Sequence, residues 1–281
     1  TYFVKRIQRY LAGKGKTLIG WDEILEGGID RSAIIEVWRG DAEGAKALAN
    51  GNKIISAGPF YLDSSLGSLT LEKVYNTEIV PAAYAPYRGQ VLGAEAPLWT
   101  ERVTPANAET LLYPRLVALA EIAWNAGKRD YPEFLRRLRT HYRRLEQWQV
   151  GYGPEDRNVA DLRLAWNPSE HNWRVWAERG FADLQLRYTT DGSDPTPASP
   201  GFTDSLALSQ AVQLKIAPFR GARAYAEPRE FTMVSHKGVG KPIAYSSQPN
   251  QNYGQAGEQV LADGLLGGES HADGLWTGWN G

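Results

Sequence analysis

The feature that most constrains this chain is a change of period partway along it. Over the first 150 residues, short and mostly apolar runs recur at Thr17-Leu18-Ile19-Gly20, Ile34-Ile35-Glu36-Val37-Trp38, Lys53-Ile54-Ile55-Ser56 and Val91-Leu92-Gly93-Ala94. Helix-like stretches such as 41–50 (DAEGAKALAN) separate them. A strand that is apolar on both faces must be covered on both, which a parallel sheet with crossover helices achieves. The predicted fold class for this part is therefore α/β. Four β/α units fit half of an eight-stranded barrel as well as part of an open sheet, and periodicity does not choose between them.

The flanking helices carry their own signals. Phe3, Ile7 and Leu11 fall at helical spacing and predict an opening helix. Thr104-Pro105 predicts the N-cap and first turn of another, with Leu112, Leu116, Leu119, Ile122 and Ala123 as its apolar stripe. Asp130-Tyr131-Pro132 opens a third, whose Phe134, Leu138, Tyr142, Leu145 and Trp148 are expected to face inward. Trp124 is likewise expected in the core.

From about residue 158 the period falls to two. NWRVWAE, LQLRYTT, VQLKIAPF and ARAYAEPREF alternate as strands do, with turn clusters such as DGSDPTPASPG between them. That pattern predicts a small antiparallel β-sandwich. A third texture, rich in Gly, Ser, Asn and Gln, begins near Gly238. The expected division is 1–157, 158–236 and 237–281.

Composition removes several kinds of chemistry. Lys+Arg 31 against Asp+Glu 32 leaves no net charge to attract nucleic acid, and no basic block interleaves with the aromatics. No apolar run reaches the roughly 20 residues that span a bilayer. With no cysteine, disulfides, thiolate metal sites and a cysteine nucleophile are excluded. His141, His171, His236 and His271 are the histidines, so the first 140 residues offer neither Ser-His chemistry nor a histidine-rich metal site. The expectation is no metal and no cofactor.

The residues that carry chemistry gather after the predicted strands: Trp21, Trp38, Tyr61 with Asp63, and Trp99 with Glu101. In a β/α barrel the C-terminal strand ends and the loops after them build the active site. Flat aromatic faces suit the apolar face of a pyranose or an acetyl methyl, and carboxylates accept hydrogen bonds from hydroxyls.

In these same segments the chain resembles a known family. GKTLIGWDEILEGG, the YLD tripeptide, LEKVYNTEIVP, and VLGAEAPLWTE with PRLVALAEIAWN resemble strands five to eight of the glycoside hydrolase family 20 β-N-acetylhexosaminidase barrel. DLQLRYTTDGSDPTPASP resembles the small sandwich that follows the barrel in many bacterial members. GKPIAYSSQPNQNYGQAGEQVLADGLLGG…WTGW resembles the truncated opening of a discoidin-like (F5/8 type C) jelly roll. The resemblance implies half of a (β/α)8 TIM barrel, then a β-sandwich, then part of a carbohydrate-binding domain.

It also implies a function: hydrolysis of terminal non-reducing N-acetyl-β-hexosamines from chitin or other glycans by substrate-assisted, retaining catalysis. Family 20 departs from the usual two-carboxylate scheme in this respect. Trp21, Trp38 and Trp99 would enclose the acetamido methyl, Tyr61 would donate to the acetamido oxygen, and Asp63 and Glu101 would bind ring hydroxyls. The Asp-Glu pair that orients the acetamide and supplies the acid ends strand four, in a His-x-Gly-Gly-Asp-Glu-like motif. These 281 residues lack that motif, so the fragment is expected to be inactive alone. Asp22-Glu23 follows Gly-Trp on the predicted fifth strand, where hydrogen bonding to the loop or to the residues behind the site is the expected role. GSLTLEKVY carries no tryptophan, a departure from the family pattern that affects one wall of the subsite. The implied location is periplasmic or extracellular. The other reading of the same pocket is a non-catalytic carbohydrate-binding protein.

Overall fold

The structure, a computed structural model, describes residues 2–125, 129–250, 259–268 and 275–279. It divides into two compact units, Thr1–Arg157 and Asn158–Gly281.

The first unit is built on a four-stranded parallel sheet of β1 (Ile19–Trp21), β2 (Ile34–Val37), β3 (Lys53–Ser56) and β4 (Val91–Ala94). The strands pair in the order of the chain, with Ile19 opposite Ile34, Ile35 opposite Ile54 and Ser56 opposite Ala94. An open α/β sheet places later strands on both sides of an earlier one, whereas sequential order without reversal is the order of a barrel. The unit is half a (β/α)8 barrel, and the ambiguity left by periodicity is resolved.

The helices are α1 (Tyr2–Gly13), α2 (Asp41–Ala49), α3 (Leu71–Asn76), α4 (Ala108–Leu112), α5 (Arg115–Trp124) and α6 (Tyr131–Gln147). Only the second crossover is a single α-helix. The first is a short 3₁₀ turn over Asp22–Gly27, closed by Gly28 in the left-handed conformation (φ 65°) that a side chain would oppose. One core cluster lies against β2 and β3, where Ile35, Val37 and Ile54 meet Leu25, Ile29, Ala47, Leu48 and Tyr84. A second joins Phe60 to Leu71, Val74 and Tyr75 of α3, Ala118, Leu119 and Ile122 of α5, and Phe134 and Leu138 of α6.

Several helical expectations need correction. The helix predicted from Thr104 begins only at Ala108, and Pro114 separates α4 from α5, since proline has no N–H and crowds the preceding turn. Trp124 and Trp148 are not core: they sit at helix ends and are 91% and 69% exposed. In α1 the Phe3-Ile7 stripe faces outward, and Val4 and Gln8 turn inward. Apolar periodicity identified these faces but could not say what covers them. The Asp130 cap does form, its carboxylate accepting from the Glu133 amide, with Pro132 in the first turn.

The second unit holds two antiparallel sheets. β5 (Ala160–Asn167), β6 (Asn172–Arg179) and β9 (Ser205–Leu208) form one, in the order β5-β6-β9. The other runs β13 (Leu265–Leu266), β12 (Arg229–Met233), β10 (Gln213–Arg220), β7 (Gln185–Thr189), β8 (Gly201–Phe202), with β11 (Arg223–Ala224) also on β10. Buried residues come from both: Trp173 and Val175 from the first, Leu186, Leu214, Ile216, Phe219, Phe231 and Met233 from the second. Within the stretch 237–281, Leu265–Leu266 pairs with β12 and the Trp173 indole donates to the Asp263 carbonyl. Part of that stretch lies outside the described residues.

Among the described residues, β1 and β4 each leave one edge unpaired, and Ile19, Leu92, Phe3, Tyr10 and Trp124 are exposed. Open strand edges beside apolar surface invite association. The 281-residue chain on its own is therefore expected to self-associate and to bind a hydrophobic dye, as light scattering after gel filtration and ANS fluorescence would report. A monodisperse monomer without dye binding would contradict this.

Candidate functional site

Because parallel strands in register end together, the segments after β1, β2, β3 and β4 all leave one edge of the sheet. Trp21 is the last residue of β1, Trp38 follows β2, Tyr61 and Asp63 follow β3, and Trp99 and Glu101 follow β4. The expected aromatic residues do converge. Trp21 and Trp99 lie with ring centroids 5.9 Å apart, and Trp38 and Tyr61 lie 6.3 Å apart. Trp99 acts on the Tyr61 phenol as a hydrogen-bonding neighbour, which pulls the phenol down. Trp38 and Trp99 each remain substantially exposed, leaving aromatic face free for a ligand.

The polarity of the Trp99–Tyr61 bond matters. Indole N–H can only donate, so the phenolic oxygen is the acceptor and the phenol's own proton stays uncommitted by this bond. Burial pushes the Tyr61 phenol above its usual range; the Trp99 bond offsets this in part, while the charges of Asp63, Glu23 and Asp22 add to it. The Tyr61 phenol therefore keeps its proton at neutral pH.

The loop after β3 is fixed by burial of alternate residues. Phe60 and Leu62 are fully buried, and the intervening Tyr61 is half-buried. The Leu62 amide donates to the Pro97 carbonyl at 2.8 Å, tying this loop to the one that carries Trp99. Gly58 lets the chain pass close to the turn after β2: a Cβ there would stand 2.5 Å from the Trp38 carbonyl oxygen. The inner Oδ1 of Asp63 is buried without a hydrogen-bond partner. Glu101 sits exposed in the turn that begins after Trp99, apart from the aromatic contacts.

Asp22 and Glu23 hold the pocket from outside. Asp22 is fully buried; its Oδ2 accepts from the amides of Trp38 and Arg39, both at 3.0 Å, and its Oδ1 accepts from Arg39 Nε. Glu23 accepts the Trp38 indole N–H at 2.9 Å. The acidic pair orients Trp38, a role that the sequence did not specify beyond loop hydrogen bonding. Arg39 is the residue that sequence reasoning missed: it also donates to Glu26, and only its place directly after Trp38 could have drawn attention to it. Among the described residues, no cluster of His, Asp and Glu could hold a metal ion.

Comparison with known proteins follows the same division of the chain. Residues 1–127 match the glycosyl hydrolase family 20 catalytic domain, and residues 175–228 match the chitobiase/β-hexosaminidase C-terminal domain. A β-hexosaminidase of Porphyromonas gingivalis is 33% identical over 266 residues, covering 83% of this chain and 33% of that protein. A β-N-acetylhexosaminidase of Cellulomonas fimi is 31% identical over 147 residues, 45% of this chain and 29% of that protein. The chain thus spans about a third of the length of these relatives. A crystal structure of a GH20 exo-β-N-acetylglucosaminidase from Vibrio harveyi, in complex with N-acetylglucosamine, aligns with a TM-score of 0.50 at 26% identity. That alignment covers 54% of this chain and 27% of the other.

The role of Asp22 is open to direct measurement. Asp22→Ala leaves the amides of Trp38 and Arg39 and the Arg39 guanidinium without their acceptor, which should cost about 2–3 kcal/mol. Urea unfolding of the intact protein should show a lower midpoint at unchanged slope, and tryptophan emission should report the loosened Trp38. Unaltered stability would mean that the turn after β2 is held by other contacts.

Proposed function

Because the chain carries part of a glycoside hydrolase family 20 catalytic domain joined to a chitobiase/β-hexosaminidase C-terminal domain, we propose that it supplies half of the sugar pocket of a β-N-acetylhexosaminidase. The intact enzyme releases terminal non-reducing N-acetyl-β-hexosamines from glycans such as chitin. The observation that carries this reading is the aromatic group of Trp21, Trp38, Tyr61 and Trp99 at the C-terminal strand ends.

In this reading the substrate's own 2-acetamido oxygen attacks the anomeric carbon as the glycosidic bond breaks. The carboxylates that orient the acetamide and protonate the leaving oxygen belong to a segment outside these 281 residues. Trp21, Trp38 and Trp99 enclose the acetyl methyl. Tyr61 is the catalytic residue of this chain: its free proton meets the acetamido oxygen and holds it on the line of attack. Asp63 and Glu101 accept hydrogen bonds from ring hydroxyls. A non-catalytic carbohydrate-binding protein is not favoured, since the relatives named above are hexosaminidases. The discoidin-like resemblance of the last stretch belongs with this proposal as an additional glycan-binding part. A periplasmic or extracellular location fits the substrate; among the described residues, no helix is long and apolar enough to cross a membrane.

Tyr61→Phe in the intact enzyme tests the mechanism. It removes one donor and keeps the ring, so kcat should fall far more than KM rises, and a thiazoline mimic of the intermediate should lose affinity in parallel. Unchanged kcat and unchanged inhibition would make Tyr61 a packing residue. Asp63→Ala and Glu101→Ala should each lower kcat/KM by about one to two orders of magnitude, the loss expected for a charged hydrogen bond to a hydroxyl. Substrates lacking the partner hydroxyl should respond far less. Wild-type efficiency in both variants would overturn the hydroxyl-binding assignment.

A further inference from the structure

Arg115, the first residue of α5, is fully buried. A buried guanidinium is costly to desolvate and usually sits against a carboxylate. Here it donates instead to backbone carbonyls. Nε and one terminal nitrogen reach Leu111 in the preceding turn. The other donations cross to the loop after β3, to Leu62, Ser64 and Leu69. The cluster into which α5 packs through Ala118, Leu119 and Ile122 is apolar and does not call for a cation.

The bonds to Leu62 and Ser64 bracket Asp63. The Leu62 carbonyl belongs to the peptide plane that leads into Asp63, and the Ser64 carbonyl lies just beyond it. On its other side Leu62 is held by the bond from its amide to Pro97, so the backbone entering Asp63 has little freedom to turn. The charge of Arg115 also acts on this residue. Burial pushes the guanidinium down to about 10, with Asp63 opposing the shift, so it stays cationic at neutral pH. Asp63 nevertheless keeps a buried oxygen that accepts no hydrogen bond. A direct Arg–carboxylate pair would occupy the lone pairs of the acid. A guanidinium tied to carbonyls supplies the charge and leaves those lone pairs open.

We propose that Arg115 is a positioning residue for sugar binding: it fixes the backbone on both sides of Asp63 and compensates the carboxylate by its field, so that Asp63 accepts from a substrate hydroxyl. This rests on the assignment of Asp63 to hydroxyl recognition made above. Arg115 acts from behind the loop and touches no substrate.

The experiment is a double-variant cycle in the intact enzyme with p-nitrophenyl N-acetyl-β-glucosaminide. Arg115→Met should lower kcat/KM by about tenfold to a hundredfold, as displacement of a positioned group does. In an Asp63→Ala background the same change should cost less than about twofold, because its effect runs through the missing carboxylate. A substrate lacking the hydroxyl that Asp63 binds should show the same insensitivity. Arg115→Lys keeps the charge without the donor fork and should recover part of the loss. If Arg115→Met does not fold, as judged by near-UV circular dichroism, Arg115→Lys carries the cycle instead. Equal losses in both backgrounds would make Arg115 a general support of the fold and overturn the inference. If Asp63→Ala by itself leaves kcat/KM unchanged, the hydroxyl assignment fails, and the inference with it. A crippled Asp63→Ala beside wild-type Arg115 variants would overturn the inference alone.

Discussion

The structure of the first unit depends on the register of its parallel ladder. Backbone bonds pair β1 with β2, β2 with β3 and β3 with β4, and parallel pairing forces all four chains to run the same way. The segments that follow them must therefore emerge along one edge. Everything proposed to touch a sugar stands on that edge, although the residues concerned span Trp21 to Glu101 in the sequence. No single loop could gather them. The irregularity in pairing between Ile54 and Ile55, against Val91 and Gly93, shows that the ladder tolerates local adjustment without losing this alignment.

The loops on that edge are held by buried polar groups rather than by apolar packing alone. At the opposite edge, where the strands begin, Asn52 is fully buried and donates to the carbonyls of Asp30 and Ala33, fixing the turn that feeds β2. Asp22 caps the amides that leave β2, and Arg115 gathers the carbonyls that leave β3. Each group meets backbone donors or acceptors that would otherwise be buried without partners, a condition that costs more than a made hydrogen bond returns. Loops fixed in this way can present exposed aromatic faces, such as those of Trp38 and Trp99, without collapsing onto them. Glu23 adds orientation by holding the indole edge of Trp38 while leaving its face free.

In the proposed reading the chemistry of this chain rests on the Tyr61 phenol. An indole can only donate, so contact with Trp99 makes the Tyr61 oxygen an acceptor and leaves its proton for another partner. Burial and the neighbouring carboxylates keep that proton in place. The proposed pocket would join an apolar enclosure to a directed donor, an arrangement suited to a group with a methyl and a carbonyl at opposite ends.

The sequence by itself determined the class of the main elements and the candidate residues at the strand ends. Unbroken apolar runs specified buried parallel strands, the fall to a period of two specified the antiparallel sheets after residue 158, and Asp130 marked the start of α6. Trp21, Trp38, Tyr61, Asp63, Trp99 and Glu101 were legible because each follows such a run in a recognisable motif. Only the tertiary structure decided barrel order over an open sheet, since pairing order is a relation between distant segments that no local period encodes. It also decided that Trp124 and Trp148 lie exposed, that Pro114 ends α4, and that Asp22 and Arg115 are loop anchors. Helical spacing reports which side chains share a face, but burial depends on what packs against that face. A buried charge is read from sequence as a surface residue until the carbonyls and amides it satisfies, up to 53 positions away, are brought beside it.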